Sequence, residues 1–445
     1  MKNAPAKKDD AAEDTVTVHP AGGLKGTVAV PGDKSISHRS VILGSIAEGL
    51  TEVENFLEGE DNLSTFAAFR AMGVEIERPS GARLKIKGVG LKGLKEPDDV
   101  IDAVNSGTTA RLLTGLLSAQ PFFTVITGDA SLRKRPMQRV VDPLLRMGAS
   151  ICGRKDSTLL PLAITGRRLT GISHSSAMAS AQLKSAVLLA GLYADGETSV
   201  HEPEKSRDHT ERMMKFFGAD IKTHDSSIRV RPVKSLKACK IAVPGDISSA
   251  AFFMVGAMIT RASDLVIKNV GVNPTRTGII KILQKMGGRI ETSGAREVSG
   301  EPVADISVES AHLTGTRISG SELVPAIDEF PIICIAAAFA EGVTTISGAK
   351  ELRFKESDRI AVMADSLKRL GIKNNEMEDG IRIEGAGVKK VKGNVTIESR
   401  GDHRIAMSLA VAALNTAKGI TIGGAASVDV SFPGFFHLLE KVSVR

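Results

Sequence analysis

One pattern of residues recurs six times along this chain, and no other feature limits its fold so tightly. An apolar helical segment leads to a Gly or polar turn, a short strand, a charged loop, an amphipathic helix, a glycine and another strand. The first copy, GSIAEGLTEVENFLEGEDNLSTFAAFRAMGVEIE, begins at Gly44; the third begins at Ala190 and the fifth at Ala336. A second copy ends at MGASI, a fourth at MGGRIE, and a divergent sixth runs from AALNTAKGITIGG to the C-terminus. The glycine after the second helix marks the period at Gly73, Gly148, Gly218, Gly287 and Gly371, at intervals of 75, 70, 69 and 84 residues. Repetition of this kind outranks local propensity. The glycine suits a helix C-cap that turns left-handed before the next strand.

A larger echo spans these units. VPGDKSISHRS begins at Val30 and VPGDISSAAFF at Val243. In each, Pro-Gly makes a turn, and Asp33 or Asp246 is placed to N-cap the apolar helix that follows. The simplest arrangement is two halves of three units each. It assigns residues 33–243 to one domain, residues 16–32 plus 244–445 to the other, and residues 1–15 to a disordered tail. The chain then crosses between domains twice, and a pair of crossings makes a natural hinge.

Two such domains suit 445 residues, and a hydrophobic content of 42% is enough to give each a core. The net charge of +7 is spread thinly, and one Tyr with no Trp cannot supply a base-stacking surface. Small anionic ligands are expected rather than nucleic acid. Three dispersed cysteines, Cys152, Cys239 and Cys334, indicate neither a disulfide framework nor a zinc knuckle. The longest apolar stretches, such as 332–340, reach about half a membrane span. The polar, acid-containing start MKNAPAKKDDAAEDT matches neither a signal nor a transit peptide. A cytoplasmic protein without a membrane partner is expected. Gly88, Gly90 and Gly93 spell G-x-G-x-x-G, but Pro97 breaks the helix that dinucleotide binding requires. Neither a P-loop nor H-E-x-x-H occurs, so no cofactor and no metal is expected.

The charged loops fall at the same point in every unit. They read GEDN, SLRKRPMQR, EKSRDHTER, NPTRTG, RFKESDR and VSFPGFF. Any one of them could be an ordinary solvated turn. Stacked repeats, however, bring equivalent loops to one face, where such architectures bind ligands. Arginine recurs in four of the six loops. Converging guanidiniums are what a doubly anionic ligand needs, because each forks onto carboxylate or phosphate oxygens.

Longer motifs add a resemblance. Gly32-Asp33-Lys34-Ser35-Ile36-Ser37-His38-Arg39, Asn105-Ser106-Gly107-Thr108 with Arg111, Lys134-Arg135-Pro136, Ser180-Ala181-Gln182, Ile327-Asp328-Glu329, Lys355-Glu356-Ser357-Asp358-Arg359 and Gly401-Asp402-His403-Arg404 are colinear from about residue 30 to 434. Together they resemble the 5-enolpyruvylshikimate-3-phosphate (EPSP) synthase family, and Ser180-Ala181-Gln182 with Arg207-Asp208-His209 is similar to its class II branch. The resemblance implies an α/β fold of two similar domains, each an inverted α/β barrel of three βαβαββ units. It implies transfer of the enolpyruvyl group of phosphoenolpyruvate to the 5-hydroxyl of shikimate 3-phosphate, with phosphate released, in aromatic amino-acid biosynthesis. A monomer is expected.

The resemblance also distributes roles. It places Lys34, Asn105, Gly107, Arg135, Gln182, Glu356, Arg359 and Arg404 around phosphoenolpyruvate. It places Lys34, Ser35, Arg39, Ser180, Ala181, Gln182, Arg207, Asp328 and Lys355 around shikimate 3-phosphate. Asp328 is the candidate base for the attacking hydroxyl, and Glu356 with Lys34 handles the proton at the donor's methylene carbon. Carboxylates do such work best with pKa values moved toward neutrality. Side-chain cations would stabilise the anionic intermediate without a metal. In the empty protein those cations are expected to repel one another and hold the halves apart until substrate binds. Gly107 leaves space for glyphosate, which competes with phosphoenolpyruvate in this family, and an alanine there is expected to make the protein markedly less sensitive to it. Many members carry a lysine before the Ser-Phe-Pro segment near the C-terminus, and here that place is Val430.

Two other readings compete. The sister transferase acting on UDP-N-acetylglucosamine typically carries a reactive Cys in the loop matching Gly128 to Met137, and GDASLRKRPM has none. A non-catalytic anion-binding module would have no use for Asp328 and Glu356 beside its ligand.

Overall fold

The computed structural model describes residues 14–79, 81–387 and 391–445. Each of the six units opens with a helix too apolar on all sides to be stable unless surrounded. These are Lys34–Ile46, Gly107–Leu117, Ala181–Gly191, Ile247–Ile259, Phe330–Phe339 and His403–Ala413. Asp33, Ser106, Ser180, Asp246 and Asp402 cap five of them with side-chain oxygens. Phe330–Phe339 instead carries Pro331 in its first turn, with no side-chain cap from Glu329. The second helices are Glu60–Ala71, Gln138–Arg146, His209–Phe216, Gly278–Lys285, Arg359–Arg369 and Phe435–Val442. After the first five stand Gly73, Gly148, Gly218, Gly287 and Gly371, with φ between +79° and +93°. That conformation costs L-residues roughly 1–2 kcal/mol, so glycine keeps the period.

In unit one, strand Glu48–Glu54 pairs parallel with Lys240–Ala242 and antiparallel with Leu84–Val89, which takes Glu75–Glu77 on its far side. Units two to five repeat this order. The parallel strands close each half on itself. Lys240–Ala242 returns from the end of unit three to unit one, whereas Gly23–Ala29, ahead of unit one, joins Asp264–Gly271 of unit four. Leu24, Val28 and Val30 therefore share a core with residues 247–442, and a second core takes residues 36–243. In each half the three apolar helices pack at the centre with the sheets outside them, an inverted α/β barrel.

Unit six departs from the pattern. Its last strand, Ser443–Val444, joins Gly23–Ala29, so the antiparallel place beside Ile420–Gly423 is filled by Thr15–Val18. The Asp14 carbonyl accepts from the Gly424 N–H at 3.0 Å. Of the expected tail, residues 1–13 lie outside the described residues, but Asp14 and Thr15 are structured. The physical reason is the open edge of unit six, whose backbone groups need partners.

The two crossings lie side by side. The Asp33 N–H donates to the Pro244 carbonyl at 2.8 Å, and the Asp246 N–H to the Pro31 carbonyl at 2.9 Å. Arg276, almost fully buried, sits between the two aspartates, with Nη1 3.2 Å from Asp33 Oδ2 and Nη2 3.2 Å from Asp246 Oδ1. Asp246 Oδ2 also accepts the Lys34 N–H at 3.1 Å. One guanidinium thus pairs with both capping carboxylates where the chain crosses between the halves, and an unpaired buried charge there would be costly.

Candidate active site

The N-terminal ends of the six apolar helices contribute residues to one cleft between the halves: Lys34 and Ser35, Gly107 and Thr108, Gln182, Asp246, Asp328, and His403 with Arg404. Such ends carry partial positive charge and unpaired N–H groups, so the cleft favours anions before any side chain is counted. The charged loops add Arg135, Arg207, Arg276 and Arg359, one from each of units two to five. Guanidiniums from equivalent loops do converge. An adjoining chamber of about 410 Å³ is lined by Ser180, Ala181 and Gln182 with Arg207, Asp328 and Lys355.

Asp328 and Glu356, both from the second half, face cations of the first. Asp328 Oδ2 is paired with Arg207 Nη2, and its Oδ1 lies 3.4 Å from Arg359 Nη1 and 3.8 Å from Lys355 Nζ. Glu356 lies 2.7 Å from Arg359 Nη2 and 3.5 Å from Arg135 Nη1. Arg359 is fixed from behind by Asp402, which accepts from its Nε at 2.9 Å. Lys34 is paired with Asp61, and Arg404 Nη1 donates to the Asp328 carbonyl at 3.2 Å.

These contacts correct two expectations. The cleft cations do not stand in bare repulsion, because Arg207 with Asp328 and Arg135 with Glu356 bind one half to the other. Nor are the carboxylates near neutrality. Burial pushes Asp328 upward, but Arg207, then Lys355, Arg404 and Arg359 hold it well below the usual range. Glu356 is likewise raised by burial and lowered further by Arg359, then Arg135, ending well below its ordinary value.

Of the expected site residues, Lys34, Ser35, Gly107, Arg135, Gln182, Arg207, Asp328, Lys355, Glu356, Arg359 and Arg404 line the cleft, and Ser180 and Ala181 line the adjoining chamber. Arg39 and Asn105 line neither. Arg39 lies buried behind Ser35, donating to its carbonyl at 2.9 Å, to Thr210 Oγ1 at 2.6 Å and to Ser185 Oγ at 2.8 Å. Asn105 accepts from Arg135 Nη2 and donates to Asp129 Oδ2 at 2.6 Å, so it aims the arginine. Neither Asp328 nor Glu329 caps the following helix with its side chain, which leaves Asp328 to the cleft.

Several cleft residues had no role assigned from the sequence: Asp61, Thr108, Arg111, Arg139, Arg276 and His403. The signal for Arg276 was its place in NPTRTG, equivalent to the other arginine loops. Arg111 is buried, donating to Gln182 Oε1 at 2.9 Å and the Pro136 carbonyl at 3.1 Å. Burial, then Arg139 and Arg135, lower it to about 9. His403 is brought down to about 3, first by burial and then by Lys34, so its imidazole is neutral.

The EPSP synthase (3-phosphoshikimate 1-carboxyvinyltransferase) family pattern matches residues 18–439. This chain belongs to the EPSP synthase family. It is 58% identical over 429 residues to the 3-phosphoshikimate 1-carboxyvinyltransferase of Geobacter metallireducens, covering 96% of this chain and 99% of that one. The counterpart in Geobacter sulfurreducens is 57% identical over 97% of this chain and all of its own. Among solved structures, an EPSP synthase from Acinetobacter baumannii superposes with a TM-score of 0.87 at 51% identity, over 97% of this chain and 98% of that one. The enolpyruvyl transferase NikO from Streptomyces tendae shares the fold, with a TM-score of 0.78 at 17% identity over 96% of each chain. Val430, where the resemblance led one to expect a lysine, does not line the cleft, and its carbonyl abuts Gly59 of the other half.

Proposed function

We propose that the cleft transfers the enolpyruvyl group of phosphoenolpyruvate to the 5-hydroxyl of shikimate 3-phosphate and releases phosphate. The observation that carries this reading is a pair of half-buried carboxylates, Asp328 and Glu356, held among cations from both halves. Each substrate brings a phosphate and a carboxylate, so the two anionic molecules need such a wall of positive charge to lie against each other.

In this reading the 5-hydroxyl oxygen attacks C2 of phosphoenolpyruvate as Asp328 takes its proton. Glu356, assisted by Lys34, delivers a proton to the methylene carbon and gives a tetrahedral intermediate. The bond from C2 to the phosphate oxygen then breaks, phosphate leaves, and Glu356 recovers the proton from the methyl group. Arg135, Arg359 and Arg404 hold the donor; Ser180, Ala181, Gln182, Arg207 and Lys355 hold the acceptor. Substrate anions compete with Asp328 and Glu356 for the same guanidiniums. Once those are drawn away, burial is left to raise the carboxylates toward a useful pKa. All these residues come from one chain, which supports action as a monomer. A cytoplasmic setting fits a reaction between small soluble metabolites.

Phosphate release tests the reading. Purified protein with phosphoenolpyruvate is expected to release phosphate with shikimate 3-phosphate and not with UDP-N-acetylglucosamine; the reverse pattern, or none, overturns it. Glu356→Gln and Asp328→Asn are expected to lower kcat by about 10²- to 10⁴-fold. Calorimetric affinity for shikimate 3-phosphate should hold or tighten, since each substitution removes an anion that competes for the arginines. Affinity lost in proportion to activity would rule out the acid/base roles.

A further inference from the structure

Arg139 stands in the first turn of Gln138–Arg146, four residues beyond Arg135, and lines both the cleft and the adjoining chamber. Most cations on these walls have a carboxylate within 4 Å: Lys34 has Asp61, Arg207 and Lys355 have Asp328, and Lys350 has Glu378. Arg135 and Arg359 have Glu356, Arg404 has Glu329, and Arg276 has Asp33 and Asp246. Arg111 lacks one but is buried against two neutral acceptors. Arg139, half-buried, has a single polar neighbour among the described residues, Met178 Sδ at 3.8 Å. A thioether is a weak acceptor and offsets no charge. The positive field of Arg139 is felt nearby, where after burial it contributes most to the lowering of Arg111.

A guanidinium left without a counter-ion at the junction of two binding chambers is prepared for an anion that arrives from solution. The chamber shows which anion. It contains Ser180, Ala181 and Gln182 at a helix N-terminus, and none of Lys34, Arg135, Arg359 or Arg404 lines it. A helix N-terminus with a hydroxyl beside it suits phosphate. We propose that Arg139 is a further substrate-binding residue that contacts the phosphate of shikimate 3-phosphate and sets the preference for a phosphorylated acceptor. This rests on the reading of the cleft given above.

The test compares two acceptors. Arg139→Gln should raise the KM and the calorimetric Kd for shikimate 3-phosphate by about ten- to hundredfold, the range for a lost hydrogen bond to a charged group. The KM for phosphoenolpyruvate and the Kd for unphosphorylated shikimate should stay within about twofold. Arg139→Lys should recover part of the affinity, because it keeps the charge and loses the fork. Equal weakening of shikimate and its 3-phosphate, or a change confined to phosphoenolpyruvate, would overturn the proposal. Unaltered affinity in both variants would also overturn it. Wild-type protein that fails to turn over shikimate 3-phosphate would instead overturn the reading of the cleft on which this depends.

Discussion

Gly107 is the residue at which one methyl group should matter most. A Cβ there would lie 2.5 Å from Arg111 Nη1 and 3.7 Å from Arg135 Nη1. Arg111 cannot swing away freely, because it is buried and tied to Gln182 and Pro136. Overfilling a packed site costs about 1–3 kcal/mol, and an inhibitor longer than phosphoenolpyruvate has less slack than the donor itself. Gly107→Ala is expected to raise the inhibition constant of glyphosate about tenfold or more, while the donor KM rises less; equal shifts would show that Gly107 does not discriminate between them. His403 supports a second measurement. Its folded pKa of about 3 lies below the ordinary 6.5, so between those values the unfolded chain binds a proton that the folded imidazole refuses. This contribution to stability is complete above pH 6.5 and is lost as pH falls toward 3. His403→Gln should therefore flatten the fall of unfolding free energy over that window by about 1.4 kcal/mol per pH unit, the weight of one proton. Denaturant midpoints at pH 4, 5 and 6.5 check it, and parallel curves for the two proteins would refute it.

The strand Thr15–Val18 lies outside the repeat period yet completes a repeat. It pairs with Ile420–Gly423, about four hundred residues away, in the place that a hairpin strand occupies in units one to five. Removing it exposes one edge of a buried strand and leaves ladder groups unpaired. At about 1 kcal/mol for each lost hydrogen bond, deletion through Val18 should destabilise the protein by roughly 2–4 kcal/mol. The loss is expected in the second half, read as faster amide exchange at Ile420 and Ile422 with no change around Val53 and Ile86. A uniform change across both halves would contradict this.

Across the whole molecule, two kinds of contact join the halves. Near the two chain crossings, His209 meets Glu301 at 2.8 Å, Asn273 meets Asp208 at 2.7 Å, and Arg276 bridges Asp33 and Asp246. Across the cleft, Arg207 meets Asp328 and Arg135 meets Glu356. The second set joins the same groups that substrate anions would engage. Neutralising it in an Asp328→Asn, Glu356→Gln double variant leaves Arg135 and Arg207 opposed to Arg359, Arg404 and Lys355 with no carboxylate between them. The ligand-free double variant is expected to open about the hinge, with a larger radius of gyration by small-angle scattering than the wild type. Shikimate 3-phosphate with an anionic donor analogue should close it again. An unchanged radius would show that the hinge contacts alone set the closure.

The six units, the capping aspartates Asp33 and Asp246, the left-handed glycines and the arginines of the loops were legible in the sequence. Each follows from relations within a turn or two of chain: apolar spacing, a side-chain oxygen two or three residues before an amide, or a glycine where other residues are strained. Such relations do not depend on where the rest of the molecule lies. The placement of Arg39 behind Ser35, of Asn105 behind Arg135 and of Arg276 between two aspartates more than two hundred residues apart depended on it entirely. So did the ionisation of Asp328 and Glu356. From their own residue types they could have been helix caps, an exposed ion pair or near-neutral acids. Only the fold brings Arg207 and Arg135 across from the other half, and a carboxylate's charge state is set by the cations and the burial around it rather than by its neighbours in sequence.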